Sequence, residues 1–241
     1  MKKNKKNIFP QKEFNAVQNA YIKLFQDFKT ACDNESLKVT SPNAIGFSYE
    51  NMGDKMVEFK FFLLLSNWPY KKEVGKELDI FLTSNETFSF ETNEVIKSNV
   101  GLKYLKNNKD QTVHPLLDIH YDYEKDVKSA HPVFHVQLGA VEISSAAKEQ
   151  VHFRKTIPKS DHLLYSNVRI PTPYMNITSV LLSLAADHLS FENYQMFLGS
   201  VRESEAVKWK VACSPLGESL QKDGNVHSHI WYFDERKLAE A

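Results

Sequence analysis

The sequence predicts an α+β fold: an antiparallel sheet of six or more strands, covered by an N-terminal helix and a buried helix in the C-terminal half. Three observations carry this expectation. An apolar stripe at helical spacing opens the chain, a succession of short runs with period-two alternation follows, and a long apolar segment lies behind Pro173.

The first helix is expected over Gln11 to Asp33. Phe14, Val17, Tyr21, Leu24, Phe28 and Ala31 recur at alternating spacings of three and four, so they form one stripe. Three heptads do not demand a coiled coil. The stripe suits a helix lying across the domain's own sheet; Phe14, Val17, Tyr21, Leu24 and Phe28 are equally the candidate partner-binding residues. Strand signals then take over. "NAIGFSYE" leads through "NMGD" into "KMVEFKFFLLLSNW" as a hairpin. "KELDIFLTSNETFSFET" alternates at Leu78, Ile80 and Leu82, with a further turn expected at Ser84–Asn85. A segment to Lys106, the polar loop "KNNKDQT" and a second hairpin continue this antiparallel meander.

Residues 144 to 166 read as irregular. "RIPTPYMNITSVLLSLAADHLSFENYQMFL" is the clearest helical region, expected as one helix over 173–198 with Thr172 as N-cap and Pro173 at the first helical position. "AVKWKVACSPLGESL" and "NVHSHIWYFDER" suggest two more strands at the sheet edge. Residues 1 to 10, with four lysines in the first six, read as a flexible basic tail, and 11 to 241 as a single domain.

Composition narrows the function classes. The 241 residues are 42% hydrophobic and 25% charged, with sixteen Phe and ten Tyr, enough for a substantial core. Thirty basic residues balance thirty acidic ones, which argues against a chain devoted to phosphate neutralisation. Cys32 and Cys213 form neither a disulfide framework nor a zinc ribbon, and suit a reduced compartment. The basic start lacks a following apolar h-region, and the run "FKFFLLLSNW" is too short to span a bilayer. The expectation is a cytoplasmic protein with no membrane partner.

"LDIHYDYEKDVKSAHPVFHVQLG", residues 117 to 139, holds the candidate chemistry. Side chains alternate along a strand, so Asp118, His120 and Asp122 share one face of the first strand of this hairpin. His131, Val133, His135 and Gln137 share a face of the second. His227 and His229 share a face of a later strand that could approach the same sheet. Imidazole and carboxylate are ordinary ligands of divalent metals and ordinary acid–base groups. His120, His131 and His135 are the candidate metal ligands; with Asp118 and Asp122 they are the candidate catalytic set. The same residues also suit the half-solvated polar face of a sheet. No metalloprotease, phosphate-loop or dinucleotide signature is present. His152, His162 and His188 are isolated, His188 reads as a hydrogen-bonded core residue, and Gly139 ends the second strand in a turn.

The segments "YDYE", "HPVFHVQLG" and "RIPTPYMNITSVLLSLAADHL" together resemble a widespread family of uncharacterised bacterial proteins with a Y-D, H-P-x-x-H, Gly and R-x-P pattern. The match covers residues 117 to 190. The resemblance implies a gene setting among mobile elements and phage-defence systems, and hence a working part of a multi-protein assembly; it carries no catalytic residue with it. Arg169, held extended before Pro171 by way of Ile170, is placed to pair with Asp118 or Asp122, or to contact phosphate. The leading expectation is an accessory, non-catalytic subunit of an antiphage defence complex that binds partner proteins, with nucleic acid reached through the complex. The alternatives are a metal-dependent hydrolase, such as a nuclease or toxin, using the histidine hairpin with a divalent cation, and a nucleic-acid-binding module using the lysine tail and exposed aromatics.

Overall fold

In a computed structural model the described residues are 10–41, 47–53, 55–69, 77–107, 112–124, 134–139, 143, 145–157, 169–171, 176–203 and 210–211. The apolar stripe folds as α1, Gln11–Asp33, and all six stripe residues are buried. They lie in the chain's own core, with Phe28 and Ala31 fully buried and the other four at most 4% exposed. The stripe therefore has no surface to offer a partner. The helix ends where Ser36 turns left-handed at φ 59°.

The strands are β1 (Lys38–Thr40), β2 (Phe47–Asn51), β3 (Met56–Pro69), β4 (Glu77–Ser89), β5 (Glu94–Asn107), β6 (Val113–Glu124), β7 (Phe134–Leu138), β8 (Arg169–Pro171) and β9 (Lys210–Val211). They form one open sheet in the order β1-β3-β4-β5-β6-β7-β8. All pairs along this path are antiparallel; β2 shares the free edge of β3, and β9 pairs parallel with the start of β5. The "FKFFLLL" run is continuous because β3 is buried on both faces at this point. Val57, Phe59, Phe61, Leu63 and Leu65 join the main core with α1, whereas Phe62 and Leu64 join Phe81, Leu105 and Val113 on the other side.

Residues 144 to 166 are not wholly irregular. Ser145–Gln150 forms a short helix, α2, and Val151 and Phe153 after it close the second cluster. Phe153 stands edge-on to Phe81 at 4.7 Å. Nor does the chain turn at Ser84–Asn85. β4 runs straight through them, because Ser84 and Glu86 are polar residues on the core face and the alternation continues. The turn comes at Phe90–Asn93, with Asn93 left-handed at φ 58°.

The single helix expected over 173–198 is two, α3 (Ile177–His188) and α4 (Phe191–Glu203). Leu189 is extended between them at φ −90° and ψ 163°. Ser190 starts the second helix, its Oγ accepting from the Asn193 N–H at 3.4 Å while its own N–H donates to Glu35 Oε1 at 2.6 Å. The N-cap of α3 is Asn176, not Thr172: its Oδ1 accepts from the Ser179 N–H at 2.9 Å. Thr172 and Pro173 lie outside the described residues. Asn176→Ala should lower the unfolding free energy by about 0.5–2 kcal/mol in a denaturant titration, and Asn176→Asp should retain most of it. Both helices pack on the α1 side, where Phe197 meets Phe28 edge-on at 5.4 Å. No described helix is long and apolar enough to cross a membrane.

Candidate functional site

The sheet face away from α1 carries the hairpin residues singled out in the sequence. β5 and β6 pair with Asn99 opposite Asp122, Gly101 opposite His120 and Lys103 opposite Asp118. Directly opposed residues share a face, so five polar side chains gather on two neighbouring strands. The Asn99 Nδ2 donates to Asp122 Oδ1 at 2.5 Å, and Asn99 Oδ1 lies 2.7 Å from His120 Nε2. An amide oxygen only accepts, so this contact fixes His120 with its proton on Nε2. Asp122 Oδ1 stands 3.4 Å from the same nitrogen, and both side chains keep a quarter of their surface exposed.

Beside this trio lies a buried ion pair. Lys103 Nζ donates to Asp118 Oδ2 at 2.6 Å, with side chains 9% and 2% exposed. The other carboxylate oxygen, Asp118 Oδ1, is buried and accepts no hydrogen bond among the described residues. The hairpin closes at Gly139, whose φ of 92° suits glycine and whose N–H donates to Asp118 O at 2.9 Å.

Register extends the rows outward. β7 sets Gln137 opposite His120 and His135 opposite Asp122; β8 sets Arg169 opposite Gln137 and Pro171 opposite His135. The co-facial placement of Asp118, His120 and Asp122 thus holds. The partner of Asp118 is Lys103, and the side chains of Arg169 and His135 lie outside the described residues, as do His131, His162, His227 and His229. Among the described residues no three His, Cys, Asp or Glu groups gather so as to hold a metal. Asn99 and Lys103 are the members that the sequence reading missed. Their signal was the alternation Lys97, Asn99, Gly101, Lys103 along β5, which shares the parity of the polar face.

A second polar centre sits inside the main core. Glu86 is fully buried on β4 and accepts from Tyr21 Oη at 2.5 Å, Ser98 Oγ at 3.0 Å and the Ile177 N–H at 2.8 Å. It joins α1, β5 and the first turn of α3 at one carboxylate. Burial pushes its pKa upward, and the three donors oppose that. Of the isolated histidines, His188 packs its ring beside Trp68 at 5.2 Å, and His152 is exposed at the end of α2. Burial also raises the pKa of the Cys32 thiol, which disfavours the reactive thiolate. No family model, curated protein or solved structure matches the chain.

Proposed function

We propose that this protein is a non-catalytic interaction subunit that presents β6 and the polar face around it to a partner protein. The observation that carries this reading is the composition of β6 itself. His120 and Asp122 stand a quarter exposed and already ordered by Asn99, while on the same strand Leu116 and Leu117 are 41% and 42% exposed, Leu117 opposite Tyr104 on the reverse face. Exposed apolar groups on the same strand as pre-ordered polar ones suit a protein–protein contact. Phosphate binding fits less well, since Lys103, the cation at the centre of this face, is neutralised by Asp118. The assignment to a bacterial antiphage assembly rests on the sequence resemblance alone.

The test is co-expression with the products of the adjacent genes. Leu116→Asp combined with Leu117→Asp should leave the melting temperature close to wild type, because both side chains are half-open to solvent. Recovery of the partner in co-purification should fall at least about tenfold, the loss expected when a charge is buried in an interface. Undiminished co-purification would remove β6 from the contact.

A second reading has its own observation. With a proton held on Nε2 by Asn99, Nδ1 is the nitrogen that a neutral His120 ring would offer as a general base. In the hydrolase reading, His120 would share a divalent cation with His131 and His135. Elemental analysis showing bound metal, together with a melting temperature lowered by chelator in wild type and unaffected in His135→Ala, would favour it over the interaction reading.

A further inference from the structure

The same face of the sheet holds a cleft of about 380 Å³ at its other side, where β1, β3 and β4 meet the segment after α2. That volume falls in the range of small-ligand sites, roughly 300–1,000 Å³. Its floor is apolar, made by Leu64, Val151 and Phe153. Its polar lining is rich in donors: Lys38, Arg154 and Lys155, joined by the Thr40 and Ser66 hydroxyls and the His152 ring, which can donate or accept. Asp79 is the one carboxylate among the described residues of this lining, and both its oxygens are taken. Lys155 Nζ donates to Oδ2 at 2.9 Å and Asn107 Nδ2 to Oδ1 at 3.2 Å. Lys155 is held further by Asn107 Oδ1 at 2.6 Å. Lys38 and Arg154 are exposed and have no acidic partner among the described residues. Among the described residues of the lining, three cations against one satisfied acid leave the cleft with a surplus of positive charge.

From these features we infer that the cleft binds a small phosphate-bearing molecule. Lys38 and Arg154 would engage the phosphate, Thr40 and Ser66 would donate to its oxygens, and a flat apolar moiety would cover Phe153 and Val151. A dianionic phosphate matches the surplus left after Lys155 neutralises Asp79. His152 turns the chain from α2 into the cleft wall as the left-handed residue of a helix C-cap at φ 54°, with its own N–H on Glu149 O and the Phe153 N–H on Lys148 O. This site is separate from the β6 surface: β5 lies between β4 of the cleft and β6, and no β6 residue lines the cleft.

Phenyl phosphate is the probe, titrated into the full chain by calorimetry, with inorganic phosphate and phenol as separate arms. Phenyl phosphate is expected to bind saturably and at least about tenfold more tightly than inorganic phosphate, since only it uses the apolar floor. Phenol should not bind measurably. Arg154→Ala and Lys38→Ala, both at exposed positions, should each weaken phenyl phosphate binding about tenfold with unchanged melting temperature. Arg154→Glu should abolish it. Absence of saturable binding to the wild-type chain would overturn the inference, as would wild-type affinity in these variants or equal binding of phenol.

Discussion

Glu86→Ala is expected to lower the unfolding free energy by about 3–5 kcal/mol, among the largest effects of any single change in the protein. The carboxylate is fully buried and serves three donors: the Tyr21 hydroxyl, the Ser98 hydroxyl and the Ile177 N–H. Truncation strands all three, at a cost of roughly 1–3 kcal/mol for each donor that finds no water. Glu86→Leu should fare little better, because it fills the space and still leaves the donors unpaired. Glu86→Gln keeps an oxygen for Ser98 and Ile177 and should cost about 1–2 kcal/mol at neutral pH. A loss below 1 kcal/mol for Glu86→Ala in a denaturant titration would show that water enters this position.

The same residue sets a pH dependence whose sign follows from its pKa. Burial, the dominant cause, raises it above the ordinary carboxylate range. The folded chain therefore binds this proton more tightly than the unfolded chain. The resulting stability is fully present below the unfolded pKa and is lost as pH rises through the folded one. Between those two values the wild-type protein should lose stability with rising pH, and Glu86→Gln should remove this component of the slope.

Glu86 also shows where the sequence stops being legible. α1 could be read because its stripe has a single period and every member is apolar. The β4–β6 meander could be read because Leu78, Ile80 and Leu82 alternate cleanly. Reading polar residues as outward-facing then fails at Ser84 and Glu86, which are buried in the core, and so a turn was expected in the middle of β4. The break between α3 and α4 was hidden for the opposite reason. Apolar residues continue on both sides of Leu189, and only the Ser190 cap and the contact with the distant Glu35 mark it. For the candidate site, parity alone placed Asp118, His120 and Asp122 on one face. Their partners on β5 lie 15 to 23 residues away, and only strand register reveals them.

Lys103→Met should destabilise the protein by about 3–5 kcal/mol, because it leaves the Asp118 carboxylate buried without its cation. The two side chains are 9% and 2% exposed and 2.6 Å apart, so neither charge has much water to fall back on. Asp118→Leu should also be costly, because the buried ammonium loses its carboxylate. Lys103→Met with Asp118→Leu replaces both charges by apolar groups beside Phe81, which pairs with Lys103 across β4 and β5. The double variant should recover most of the lost stability, since a buried pair is often worth no more than well-packed apolar residues. A double-mutant cycle should give a coupling of at least about 2 kcal/mol; additive losses would mean that the charges are solvated independently. The recovered variant then tests what the pair is for. If it folds and still binds its partner, Lys103 and Asp118 serve the sheet alone. If it folds and binding is lost, the pair positions β6, and Asp118 belongs to the functional face together with His120 and Asp122.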